Sequence, residues 1–347
     1  MATNARAAVL EQLNHPLAIR DLELPQLLLG QVLVKVFFSG VCRSQLMEVR
    51  GGRGKDPWLP PLLGPEGSGE VLAIGQGVTK VRPGDEVILG WLKGQGLDAP
   101  GAKFSCNGQV INSGSVTTFS NYTVVAENRL VKKPDGLALD VAVLFGCALP
   151  TGGGMVFNEL KPLIGSTIVI LGLGGVGLSA LIALREFKCK LIIAVDFSDQ
   201  KLALAEEFGA THVLNPTDKD VLDLVIQLTG GVDYCIESAG TVNSIELGFA
   251  LIRRGGGKML FASHPPEGEV IKLAPHELIS GKQIAGSWGG NSMPDIDIPR
   301  MYQTFLNTNV SLDRLLTKRY SLEEINLALD DLDAGRVFRP LIVMDHP

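Results

Sequence analysis

Between residues 149 and 290, short apolar runs alternate with longer stretches of mixed polarity. Runs at 167–171, 190–195, 211–214, 232–236, 258–262 and 283–287 are rich in β-branched residues and read as buried strands. The intervening stretches, among them 178–187, 199–208 and 242–253, read as helices. Six strands joined by crossover helices predict a doubly wound parallel sheet, an α/β arrangement. Residues 1–148 follow a different rhythm. Short alternating strands such as 31–36 are separated by turn signals such as Arg82-Pro83-Gly84-Asp85, a pattern that suits an irregular β-barrel-like domain. Beyond Gly290 the pattern is mixed. A helix is predicted at 322–332, with Ser321 as N-cap and Glu324 completing a capping box. A last strand at 340–344 is expected to rejoin the first domain. The expected organisation is therefore a β-rich domain of residues 1–148 plus 291–347, a cofactor domain of 149–290 inserted in it, and a cleft between them.

The first of the six predicted strands runs into Gly172-Leu173-Gly174-Gly175-Val176-Gly177, and Asp196 stands nineteen positions further on, at the end of the second strand. Glycines in such a turn let backbone N–H groups approach a pyrophosphate, and the helix that follows adds partial positive charge at its N-terminus. A carboxylate at the Asp196 position accepts both hydroxyls of an adenosine ribose and repels a 2′-phosphate. The predicted cofactor is NAD rather than NADP.

Composition narrows the picture. Of 347 residues, 46% are hydrophobic and 20% charged, an ordinary globular profile long enough for two domains. The net charge is −6 and no basic cluster is long enough for nucleic acid or an acidic membrane surface, so neither partner is expected. The apolar stretch 168–184 is interrupted by four glycines and reads as strand, turn and helix rather than a membrane span. The N-terminus carries no apolar signal core, which makes the cytoplasm the expected compartment. The five cysteines are scattered and odd in number, which argues against a disulfide framework. Cys189 and Cys235 read as inert core.

Several segments carry a resemblance over nearly the whole chain. They are Gly40-Val41-Cys42-Arg43-Ser44, Gly64-Pro65-Glu66-Gly67, the stretch 75–87, Thr118-Phe119-Ser120-Asn121-Tyr122, Gly146-Cys147 and the glycine-rich turn. The chain resembles the medium-chain, zinc-type alcohol dehydrogenases, and the Cys-Arg-Ser and Phe-Ser-x-Tyr forms look most like the liver-type branch. The resemblance implies a GroES-like catalytic domain with an inserted Rossmann domain. It makes Cys42 and Cys147 two catalytic zinc ligands and Glu66 a carboxylate behind the metal. Ser44 becomes the hydroxyl that hydrogen-bonds the substrate oxygen. Arg43 and Arg339 become pyrophosphate contacts, and Asp196 and Lys201 ribose contacts, beside Gly172, Gly174, Gly175, Val176 and Gly177 of the turn.

Departures from that pattern gather at one site. Pro65 stands where the family has a histidine ligand, Gln45 where it has the aspartate that orients that histidine, and Met47 where it has a relay histidine. Proline offers no donor to a metal. Two readings follow. Zinc is retained by Cys42, Cys147 and a recruited Glu66, or the metal is absent and a proton donor takes its role; the second is favoured. Ser44 is the first candidate donor. His264, in the loop after the fifth strand, is the second. The structural zinc lobe needs four cysteines, and Cys106 stands alone, so that metal is expected to be absent. Trp58, Trp91, Phe119 and Trp288 are the aromatics expected nearest the cleft. Tyr122 is expected in the core, and His15, His212, His276 and His346 read as structural or surface residues.

Three functions are compatible with these residues. One is hydride transfer between NAD(H) and a small alcohol or carbonyl substrate. The second is zinc-free reduction of polarised C=C bonds, and the third is non-catalytic NAD sensing. The apolar segment 283–288 predicts a homodimer by edge pairing.

Overall fold

The computed structural model describes residues 4–218, 220–308 and 310–346. Residues 1–3, part of the N-terminus judged above, lie outside that set. The chain divides into two compact units, one of residues 1–147, 293–299 and 311–347, the other of 148–292 and 300–310.

The first unit is built on two sheets. Strands β1 (Asn4–Val9), β2 (Ala18–Glu23), β6 (Lys103–Cys106) and β7 (Gln109–Asn112) form one, in the order β1-β2-β6-β7. The second contains β3 (Gln31–Gly40), β4 (Glu66–Ile74), β5 (Glu86–Gly90), β8 (Tyr122–Ala126), β9 (Leu130–Lys132), β16 (Lys318–Ser321) and β17 (Pro340–Val343). Its order is β16-β17-β3-β4-β5-β9, with β8 paired to β3. The alternation at 31–36 is thus the start of a ten-residue central strand. The last strand joins this sheet, antiparallel to β3, so chain ends far apart in sequence meet beside Gly40. Val36, Leu46, Phe119, Tyr320, Ile325 and Ile342 share one core cluster. Phe119, expected near the cleft, is a core residue at 1% exposure, whereas Trp58 and Trp288 are exposed.

The second unit is a six-stranded parallel sheet of β10 (Thr167–Leu171), β11 (Leu191–Val195), β12 (His212–Leu214), β13 (Tyr234–Glu237), β14 (Lys258–Phe261) and β15 (Gln283–Gly286). Its order is β12-β11-β10-β13-β14-β15, with every pairing parallel. Order reverses beside β10, so the crevice at the carboxyl end of β10 is the switch point where this architecture binds ligands. The first crossover helix spans Gly175–Leu184, three residues earlier than predicted, because the glycine-rich turn itself forms its first turn. Cys235 is fully buried as expected, but Cys189 precedes β11 in a turn and is only half-buried.

Two elements near the C-terminus refine the prediction. The capping box at Ser321 and Glu324 is present, but it opens a short 3₁₀ turn, Leu322–Glu324, before the helix Ile325–Asp333. A fourteen-residue helix, Pro294–Asn307, occupies a region read as mixed. Pro299 inside it looks like a breaker in sequence, yet Ile298, Met301, Tyr302 and Phe305 make a buried stripe at helical spacing. The division between units falls within this helix, so 300–310 belong with the parallel sheet rather than with the first unit. Among the described residues no single helix is long and apolar enough to cross a membrane.

Candidate functional site

In the first unit, Cys42, Ser44, Glu66, Cys147 and Arg339 converge. Cys42 ends the segment after β3 and is the N-cap of the helix Arg43–Val49, which carries Arg43 exposed on its first position. Glu66 opens β4 and is fully buried. Its carboxylate is gripped by Arg339, with Nε donating to Oε1 at 2.7 Å and the second guanidinium nitrogen at 2.5 Å from the same oxygen. Burial works against the charge on Arg339, but Glu66 and the two cysteine sulfurs outweigh it and push its pKa further up. Glycine is required on both sides. A Cβ on Gly40 would overlap the Glu66 carboxylate, and one on Gly146 would stand 2.7 Å from Glu66 Cβ. The Gly64-Pro65-Glu66 corner is fixed from the other side by Thr118, whose hydroxyl donates to the Glu66 carbonyl at 2.7 Å.

The Cys42 and Cys147 side chains hydrogen-bond to each other. That bond holds the Cys42 thiol well below its ordinary pKa against the cost of burial, with help from Arg339 and from the hydroxyl and backbone of Ser44. The same bond, together with burial, pushes Cys147 well above it. The Ser44 hydroxyl lies 3.1 Å from Gln45 Oε1, so its single proton is shared between that oxygen and the Cys42 sulfur. Gln45 therefore anchors the serine, where the family's aspartate would orient a metal-bound histidine.

The donor set departs from that of a family zinc site. A catalytic zinc needs three protein ligands. Pro65 supplies none, and Oε1 of the Glu66 carboxylate is engaged by Arg339. Among the described residues no three His, Cys, Asp or Glu side chains are grouped so as to hold a metal ion. Cys106, at the end of β6, is one thiol where a structural site needs four.

In the second unit the glycine-rich turn is built as a dinucleotide cradle. Gly172 has φ +88°, and a Cβ there would stand 2.7 Å from Ala239 N. A Cβ on Gly177 would overlap the Gly172 carbonyl, whereas Gly174 faces open space. Gly174 caps the helix without a side chain, which leaves the first-turn N–H groups to an anion. At the tip of β11, Asp196 Oδ2 accepts the Leu173 N–H at 2.7 Å and Oδ1 accepts the Ser198 N–H at 3.0 Å. Lys201 Nζ lies 3.4 Å from the same carboxylate. A nicotinamide dinucleotide fits this arrangement. Val176 sits in the helix's first turn, next to Gly175.

His264 is exposed, with Nδ1 2.9 Å from the Pro265 carbonyl, and its loop packs on the one that follows β13. His346 is half-buried against Phe37 and Tyr122. Arg339, a pyrophosphate contact in the resemblance, has a side chain only 6% exposed that pairs with Glu66.

Two functional supports escaped the sequence. Glu237, buried at the end of β13, gathers the N–H groups of Ala239 and Gly240 and the Ser244 hydroxyl on Oε1, at 2.8, 2.7 and 2.8 Å. Burial raises its carboxyl above the ordinary value despite those donors. It shapes the turn against which Gly172 rests. Glu127 accepts the N–H groups of Thr79, Lys80 and Leu97, each at 2.6 Å, and so braces segment 91–98. Asp295 completes that brace through Gln95 N–H at 2.6 Å and Lys80 at 2.5 Å. Neither acid carries a local motif; only an apolar strand ending in a carboxylate hinted at Glu237.

A β-rich unit with a buried thiol–carboxylate centre, and a parallel sheet with a dinucleotide turn, define a medium-chain dehydrogenase. Comparison with known proteins agrees. Residues 29–135 match the alcohol dehydrogenase GroES-like domain, and 175–307 match the zinc-binding dehydrogenase domain. The class-3 alcohol dehydrogenase of Cereibacter sphaeroides is 31% identical over 375 aligned positions, covering 97% of this chain and 99% of that protein. An S-(hydroxymethyl)glutathione dehydrogenase of Paracoccus denitrificans is 30% identical, with the same coverage. The solved benzyl alcohol dehydrogenase of Acinetobacter calcoaceticus superposes with a TM-score of 0.89 at 29% identity, over 99% of this chain and 100% of that one. The chain belongs to the medium-chain, zinc-type alcohol dehydrogenase family and is an oxidoreductase of the alcohol dehydrogenase type.

Proposed function

We propose that this protein is a cytoplasmic, NAD(H)-dependent dehydrogenase that moves hydride between nicotinamide and a small alcohol or carbonyl substrate without a catalytic zinc. The observation that carries the cofactor choice is Asp196, whose carboxylate closes β11 and holds the Leu173 N–H of the glycine-rich turn. When bound, NAD(H) supplies or accepts the hydride. Gly172, Gly174, Gly175, Val176 and Gly177, with Arg43, take the pyrophosphate, and Asp196 with Lys201 takes the ribose.

In the absence of a Lewis acid, the reacting oxygen needs a proton donor, and general acid catalysis is worth roughly 10²- to 10⁴-fold. Ser44 fills that role, held by Gln45 and Cys42. His264, exposed and flexible in its hydrogen bonding, is the second donor. Edge strand β15 with exposed Trp288 supports a homodimer through sheet extension. The test is calorimetric titration of NADH and NADPH, followed by NADH oxidation in chelator-treated buffer with an aldehyde panel that includes benzaldehyde. Preference for NADH and turnover without metal support the reading. Preference for NADPH, or turnover only after zinc is restored, overturns it.

The missing third ligand favours a second reading, reduction of a polarised C=C bond, which needs hydride and a proton donor but no alkoxide stabilisation. Deuterated NADH separates the two, with label on a carbinol carbon for the first and on a β-carbon for the second.

A further inference from the structure

Arg129, Lys282 and Arg339 are buried cations among the described residues. Arg339 pairs with Glu66, and Lys282 lies 3.1 Å from Glu277. Arg129, 8% exposed, makes no ion pair with any described carboxylate. Its Nη1 donates to the Trp91 carbonyl, and its Nε is buried without a hydrogen-bond partner. Burial works against its charge and lowers its pKa, and Asp98 offsets only part of that cost. Asp98 is itself tied to Lys93 at 2.6 Å and to the Asn128 side chain. Glu127, two residues before Arg129, spends both oxygens on the N–H groups of Thr79, Lys80 and Leu97. A buried charge without a partner is costly, and a guanidinium cannot shed its proton. The Nε and Nη2 hydrogens of a guanidinium form a fork that matches the two oxygens of a carboxylate. In Arg129 the bond to Trp91 uses the other nitrogen and leaves that fork open. Its place in the sheet is also informative. Leu130 pairs with Leu89, and the next residue of β5, Gly90, pairs with Glu66. Arg129 therefore stands two strand spacings from Glu66, roughly 10 Å along the sheet.

We propose that the open fork of Arg129 binds a carboxylate, carried either by the substrate or by a free small acid. One carboxylate neutralises one guanidinium, whereas a phosphate dianion would leave net negative charge beside Asp98 and Glu127. The position of Arg129 in the sheet row of Glu66 favours the substrate. That substrate is an aldehyde or alcohol with a carboxylate at the end remote from the reacting carbon. The substrate assignment rests on the dehydrogenase reading above; the carboxylate site does not. The role differs from a structural one in a measurable way. A structural arginine is needed for stability, whereas exchanging an uncompensated buried cation for an apolar side chain of similar volume is neutral or stabilising.

The experiment compares para-formylbenzoic acid with its methyl ester as substrates of the full-length protein with NADH. The ester keeps the ring and the aldehyde and removes the charge. Terephthalate, which has carboxylates but no aldehyde, is titrated calorimetrically in parallel. The expected result is a kcat/KM at least about tenfold higher for the acid than for the ester. Arg129→Met brings that ratio close to one, abolishes terephthalate binding and unfolds at no lower urea concentration than wild type. Arg129→Lys, which keeps the charge but not the fork, restores part of the ratio. Terephthalate that binds through Arg129 and competes with the acid supports the substrate as the source. Terephthalate that binds through Arg129 while wild type treats acid and ester alike assigns the carboxylate to a free acid and overturns the substrate assignment. Equal turnover of acid and ester with no terephthalate binding overturns the site. So does an Arg129→Met protein that is less stable yet keeps the wild-type ratio. If neither aldehyde turns over, the dehydrogenase reading is what fails, and the terephthalate titration alone decides the carboxylate site.

Discussion

Replacing Glu66 by glutamine leaves the Arg339 guanidinium in a site where both side chains are nearly inaccessible, 0% and 6% exposed. At a separation of 2.7 Å and an effective dielectric constant of about 20, the pair attracts by about 6 kcal/mol. Desolvating the two ions costs several kcal/mol each, so the pair as a whole is close to neutral for stability. Breaking it from one side is not, and costs about 3–5 kcal/mol. The two sides differ. A guanidinium cannot shed its charge, whereas a carboxyl stripped of its partner can take up a proton. Glu66→Gln is therefore expected to be the worse single change, and Arg339→Met the milder one, milder still at acid pH. The double variant is expected to recover about 3 kcal/mol relative to the sum of the singles. Urea unfolding followed by tryptophan fluorescence reads this out. With the exposed Trp288 changed to phenylalanine, Trp58 and Trp91 report on the first unit alone. A Glu66→Gln loss below about 1 kcal/mol, or a double variant as unstable as the sum, would refute the buried pair. So would stabilisation of the wild type by added zinc, because a metal would then be competing for Glu66.

Other outcomes follow from the same geometry. Gly172→Ala, at φ +88° and facing Ala239 N, is expected to abolish NADH binding in a titration while the circular dichroism of the first unit's β structure persists. Glu127→Gln is expected to cost about 1–2 kcal/mol, since three part-buried N–H groups lose a charged acceptor. Burial opposes ionisation of Glu127, but those N–H groups and Lys80 outweigh it and hold the carboxyl below its usual value. Its contribution is thus complete above the unfolded carboxyl range and lost as pH falls through the lower, folded value. The variant's acid limb of stability against pH is then flatter than the wild type's, and parallel limbs would count against the brace. Glu237→Gln retains an acceptor for all three donors and is expected to keep NADH affinity, whereas Glu237→Ala leaves orphan donors and weakens it at least tenfold, about 1.4 kcal/mol.

The parallel sheet was legible because its strands are apolar runs of the right length and its cofactor turn combines glycine spacing with a following acid. The capping box at Ser321 was legible because it is a local signal. What escaped depends on contacts between distant residues. Pro299 reads as a break until the buried stripe at Ile298, Met301, Tyr302 and Phe305 is seen to hold the helix. Phe119 lies within a segment of the resemblance, yet it packs with Tyr320 and Ile342 because the C-terminal strand returns beside β3. At the thiol centre, sequence showed the loss of a histidine ligand but left Glu66 free to move. Only the close approach of Gly40 and Gly146, and the grip of Arg339, show that its carboxylate is held.

Zinc content per chain, measured by elemental mass spectrometry on untagged protein whose NADH-linked turnover is assayed in the same tube, tests the central claim most directly. The account predicts turnover with zinc far below one per chain and no response to a chelator. One zinc per chain, lost together with activity on chelation and absent from Cys42→Ala, would contradict it.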